Sequence, residues 1–140
     1  MYATIKDFVA RVGELETIEL TDREAVGEIN STVLETALSD STSQIDGYQR
    51  GLYKLPLVIE PKNLVRISCD LARYRLAGLT HMPITEEIET RYKLCIKELE
   101  SLSKGVVSLG VEELNSSRGN EDNTVQFFNT GNRIFERNRR

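Results

Sequence analysis

The chain has 140 residues, 39% of them hydrophobic, and its 18 basic and 22 acidic side chains leave a net charge of −4. That length suits one globular domain with a single core, and no apolar run approaches the ~20 residues needed to span a bilayer. The opening MYATIKDFVARVG carries charges where a secretory signal needs an apolar segment, so a cytoplasmic start is expected.

Thr4 and Asp7 have the form of a capping box with Asp in the Glu position. Ile5, Phe8, Val9 and Val12 then recur at helical spacing until Gly13. A short first helix is predicted over 4–12, with ELETIELTD able to add one more turn before the polar connection TDREAVGEIN. Asn30 or Ser31 caps the second helix. Its seam is Leu34, Leu38, Ser41, Ile45, Tyr48 and Leu52, which step alternately by four and three along one side. Glu35, Thr36, Ser39, Asp40, Thr42, Ser43 and Gln49 make up its polar side, and the helix runs to about residue 51. Pro56 keeps Leu55 out of the helical region and turns the chain.

Pro61 suits the first turn of a third helix, where a missing N–H costs nothing. This helix carries two apolar stripes, one of Leu64, Ile67, Leu71 and Tyr74, the other of Val65, Cys69, Ala72 and Leu76. A helix apolar on two faces belongs at the centre of the domain. It is expected to end at Gly78 and the THMP turn. Thr85, Glu86 and Glu87 open a fourth helix, the carboxylates matching the positive end of the helix dipole. Ile88, Tyr92, Cys95, Leu99 and Leu102 form its seam, and Lys104 with Gly105 closes it.

The character then changes. VVSLGVEEL is a short apolar piece with strand propensity, and NSSRGNEDNT reads as a disordered polar linker. VQFFNTGNRIFERNRR follows, and it contains three of the four phenylalanines of the chain. Residues 1–117 hold 13 basic and 19 acidic side chains, whereas residues 118–140 hold 5 and 3, so an acidic body carries a basic tip. The expected organisation is an all-α bundle of about four helices over residues 1–110 and a flexible tail over 111–140.

Catalytic chemistry finds little footing in this sequence. His81 is the one histidine and falls in a predicted turn. Cys69 and Cys95 lie within apolar helical patterns and lack the close spacing of a zinc knuckle or redox pair, so both read as buried thiols with no disulfide. No Gly-rich phosphate loop is present. Asp46 and Asp70 stand in apolar surroundings, with Arg50 at i+4 and Arg73 at i+3. They read as structural pairs in preference to an acid/base pair. Gly47 is expected to admit a neighbouring backbone, while Tyr48 and Tyr74 join the core and Pro56 fixes the exit of the second helix. Arg66, Arg73 and Arg75 on the third helix are the residues a DNA-recognition helix would need, but that helix is doubly apolar and the body is acidic. No catalytic, metal or cofactor residue is assigned.

The segments MYATIKDF, LTDR, QIDGYQRGLYKLPL, CDLARYRL and RYKLCIKELESLSKGVVSLGV, spanning about residues 1–111, resemble a family of small proteins from the morphogenesis clusters of Mu-like phages and prophages. That family is similar to the helical head–tail connector, or head-completion, proteins of long-tailed phages. The resemblance implies a virion neck component without catalysis, assembled in the host cytoplasm as a ring of about twelve copies below the portal. Its partners would be the portal protein, neighbouring copies and the next neck or tail-terminator protein, with DNA passing through the channel without sequence-specific binding. Tail residues Phe127, Phe128, Ile134 and Phe135 would anchor in an apolar groove, and Arg133, Arg137, Arg139 and Arg140 would meet carboxylates. Glu35, Asp40, Glu86 and Glu89 would face the channel, where an acidic wall lets DNA slide. A helical adaptor that binds one partner through its tail without forming a ring is the alternative.

Overall fold

The computed structural model describes residues 1–111. Five helices follow in order: α1 Ile5–Val12, α2 Glu14–Thr21, α3 Ser31–Gln49, α4 Lys62–Leu79 and α5 Glu86–Ser103. No strand occurs among the described residues, so the architecture is all-α, and residues 106–111 of the apolar piece after α5 are bends and irregular backbone.

Local chemistry accounts for most of the boundaries. The Thr4–Asp7 capping box opens α1, the Asn30 side chain accepts from the Val33 N–H to open α3, and Thr85 does the same for Ile88 in α5. Pro61 is the N-cap of α4, one position before the helical turn expected for it, and α4 continues through Gly78 to Leu79.

ELETIELT forms a separate two-turn helix, α2, more than the single added turn read from the sequence. Gly13, at φ +99°, makes this possible, since few L-residues adopt that angle. It closes α1, donating its N–H to the Val9 carbonyl, and opens α2. The buried side of α2 is Thr17, Leu20 and Thr21. Both threonine hydroxyls donate to the carbonyl four residues back, at 2.6 and 2.8 Å, so polar residues pack inside without stranded hydroxyls.

α4 is the central helix and packs against the other four. Its two stripes divide between two core clusters. Cys69, Ala72 and Leu76 meet Phe8, Leu20, Leu34 and Leu38. Leu64, Ile67 and Leu71 meet Tyr2, Ile45, Cys95, Leu99 and Leu102. α3, α4 and α5 run antiparallel in succession. One end of the body therefore holds the start of α3, the end of α4 and the start of α5, and the opposite end holds the α3–α4 connection. The Leu55–Pro56 peptide in that connection is cis.

The expectation for α3 requires correction at two positions. Gln49 lies inside the body at 0% exposure, and neither of its amide atoms has a hydrogen-bond partner. Its position agrees with a 3.6-residue turn, since it stands four residues after Ile45 and three turns after Leu38, on the same face; the expectation placed it on the polar side by its amide character alone. An unpaired buried amide is costly, so Gln49→Met should raise the unfolding free energy by about 1 kcal/mol, as measured by urea denaturation. Gly47 does not admit a neighbouring backbone, since a Cβ built there meets nothing within 4 Å. It is an exposed helical glycine, and Gly47→Ala should stabilise the free chain by about 0.5–1 kcal/mol, readable in the same titration.

Candidate interaction surface

The residues singled out from the sequence occupy two places in this body. Asp46 accepts a hydrogen bond from the Tyr2 hydroxyl, while the Tyr2 N–H donates to Thr42 Oγ1. Asp46 thereby ties α3 to the segment before α1 and does not pair with Arg50. Burial, reinforced by the Asp46 carboxylate, pushes the Tyr2 phenol well above its usual range. Tyr48 is half-buried against the cluster that contains Ile45 and Leu71.

Asp70 does not pair with Arg73 either. Its partners are Arg66 at 3.6 Å on the same helix and Arg91 at 3.9 Å on α5, and the Cys95 thiol donates to it at 3.6 Å. Arg73 reaches Glu16 on α2 at 2.6 Å and Glu87 on α5 at 3.7 Å. With Arg91–Glu87 at 3.0 Å and Arg66–Glu98, a continuous row of charges runs Glu98, Arg66, Asp70, Arg91, Glu87, Arg73, Glu16 across α5, α4 and α2. Burial works to lower the Arg66 guanidinium, but the Glu98 hydrogen bond and charge outweigh it and hold it above its ordinary value. Tyr74 stacks on Tyr92 beside this row, with ring centroids 3.9 Å apart and planes inclined by 15°.

All three arginines of α4 have such partners, since Arg75 donates to Gln44 Oε1 at 2.7 Å. They hold helices together and do not form an open basic face. His81 is exposed in the turn after α4. Among the described residues no group of three or more His, Cys, Asp or Glu side chains is placed to hold a metal ion.

Cys69 and Cys95 are free and buried. Burial pushes each thiol up to about 12. In the folded chain both should resist alkylation at neutral pH, whereas in denaturant two thiols should react. The sign of the pH effect follows from linkage. Above about pH 9, where an unfolded thiol ionises, the unfolded state holds fewer protons than the folded one, so stability should fall as pH rises towards 12. A melting temperature that is flat from pH 8 to pH 11 would contradict this assignment.

Among the described residues, exposed apolar side chains lie at both ends of the body. At one end the α3–α4 connection is anchored by buried Tyr53, whose hydroxyl accepts from the Leu109 N–H at 3.1 Å. Beyond that anchor the chain projects Val58 at 101% and Ile59 at 68% exposure. At the other end a groove of about 470 Å³ lies between the first half of α3 and the last turns of α4. Its apolar walls include Val33, Ala37, Leu76, Leu79 and Ile84, of which Leu79 is 67% and Ile84 41% exposed. No sequence signal marked the groove, because its residues belong to separate helices. The LPLVI run was legible only as an exit from α3.

The tail residues expected to bind a partner, Phe127, Phe128, Arg133, Ile134, Phe135, Arg137, Arg139 and Arg140, lie outside the described residues. Glu35, Asp40, Glu86 and Glu89 are all exposed.

Comparison with known proteins follows the same body. The family described as "Bacteriophage Mu, Gp36" matches residues 2–127, reaching further into the tail than the sequence resemblance did. The chain is 32% identical over 126 residues to "Gene product J" of Escherichia phage Mu, covering 89% of this chain and 87% of that protein. It is also 32% identical over 98 residues to "Mu-like prophage FluMu protein gp36" of Haemophilus influenzae, covering 70% of this chain and 62% of that protein.

Proposed function

Because the chain belongs to the Bacteriophage Mu Gp36 family, we propose that it is a non-catalytic head–tail connector of the virion neck, assembled as a ring below the portal. In this reading the ring extends the DNA channel and offers a docking surface to the next neck protein. The observation that carries it is the pair of exposed apolar surfaces at opposite ends of the described helical body. Apolar side chains exposed beside a groove or on a projecting loop are the places where a partner gains most by covering them.

The ionisable groups fit the same reading. Asp46, Asp70 and Arg73 are engaged in helix-to-helix contacts, and both thiols are protonated in the core. None of these side chains is poised to attack or deprotonate a substrate. The acidic surface suits a channel through which DNA must pass without being held, because every phosphate contact adds salt-dependent affinity. The basic, aromatic tail would reach the portal or an adjacent copy. One such tail binds weakly once its ordering cost is counted, and many tails on one ring bind together through effective concentration.

The test is to mix the purified chain with its cognate portal protein and measure the mass of the complex. The connector reading expects many copies to join one portal ring. A single copy bound through the tail would favour a non-ring adaptor, and no binding at all would remove the portal as partner.

A further inference from the structure

We propose that successive copies of this chain join head to tail, the projecting 55–59 loop of one copy seating in the α3–α4 groove of the next. The inference rests on the ring reading above and deepens it by naming the contact. Three observations on the molecule lead to it.

The first is that knob and socket belong to the same chain and face opposite ways. The α3–α4 connection closes one end of the antiparallel pair, and the groove opens at the other end, where α3 begins and α4 finishes. The groove is lined by α3 residues from Thr32 to Asp40 and α3 ends at Gln49, so the two features are separated by roughly 20 Å at 1.5 Å per residue. A loop cannot fold back over that distance onto its own groove. Only another copy can bring the two together, and such a contact is heterologous, so it closes a ring when the rotation between copies allows.

The second is apolar match. Val58 and Ile59 stand out from the loop, exposed among the described residues, and the groove offers Val33, Ala37, Leu76, Leu79 and Ile84 around about 470 Å³, ample for two aliphatic side chains. Seating the loop would remove Val58, Ile59, Leu79 and Ile84 from water in one step.

The third is charge. The end that holds the groove, residues 14–40 and 72–93, carries 11 acidic and 5 basic side chains, a balance of −6. The end that holds the loop, residues 41–71 and 94–111, carries 5 acidic and 6 basic, a balance of +1. Arg50, Lys54, Glu60 and Lys62 flank the loop, and the charged side chains lining the groove itself are Arg23, Arg75 and Asp40, so the complementarity lies between the two ends as wholes. Two groove ends repel each other, whereas loop end against groove end attracts, so the field selects the head-to-tail arrangement over a symmetric dimer.

The test uses two double variants at exposed positions, where folding is undisturbed: Val58→Asp with Ile59→Asp on the loop, and Leu79→Asp with Ile84→Asp in the groove. Self-association of the full chain is followed by sedimentation over a concentration series, alone and with purified portal, after circular dichroism shows unchanged helix content. The wild-type chain should form species larger than dimers. Each variant alone should associate at least about tenfold more weakly, a loss of ~1.4 kcal/mol or more. The equimolar mixture should recover dimers and nothing larger, because it holds one intact loop and one intact groove per pair. If wild type assembles and either variant assembles equally well, the contact is wrong while the ring reading stands. A mixture that associates no better than its components also overturns the contact. Wild type that remains single copies both alone and on the portal removes the ring reading, and this contact with it.

Discussion

Deleting residues 118–140 is expected to leave helix content and melting temperature nearly unchanged while abolishing the formation of infectious particles. Among the described residues the buried members of both core clusters lie within residues 2–102, with Leu109 packed against the second, and each helix has packing partners inside the described body. The deleted segment carries 5 basic and 3 acidic residues and three of the four phenylalanines, so its removal subtracts the basic, aromatic element assigned to docking. Circular dichroism with thermal melting and a plaque or complementation assay measure the two halves separately. A truncated chain that melts much lower would place the tail in the core. Particles that assemble normally without it would remove the tail from docking.

Phe8→Ala should have the largest effect on stability. Phe8 is fully buried and joins α1 to Leu34 and Leu38 of α3 and to Leu76 of α4. Removing a ring from such a site costs about 3–5 kcal/mol through lost transfer energy and the cavity left behind. A domain of this size holds ~5–15 kcal/mol in total, so the variant should melt more than about 10 °C lower. Chemical denaturation should show the midpoint shifted with the slope preserved. A loss under about 1 kcal/mol would mean that α1 is only loosely docked, and the two-cluster description of the core would have to change.

These two experiments divide the chain in the same way as the physics does. The described body is held by burial, and the tail and both apolar ends are the parts proposed to meet partners. α4 contributes buried residues to both clusters.

The sequence by itself determined the helices and the central place of α4. Capping at Thr4, Asn30 and Thr85, the stepping of Leu34 through Ile45, and the double stripe of α4 are all local signals, set within three or four residues by the geometry of one helical turn. The buried threonine side of α2 was fainter, because hydroxyls bonded to their own helix look polar in a sequence and apolar in a core.

Tertiary structure alone decided the pairings. Asp46 meets Tyr2 across 44 positions and Arg73 meets Glu16 across 57, while the nearer candidates Arg50 and Asp70 are passed over. An ion pair between helix neighbours contributes only ~0.2–0.5 kcal/mol. A carboxylate or guanidinium half-sealed between helices must find a partner in whatever direction the packing presents one. The same cause hid the groove, whose walls come from helices that meet only when the chain has folded.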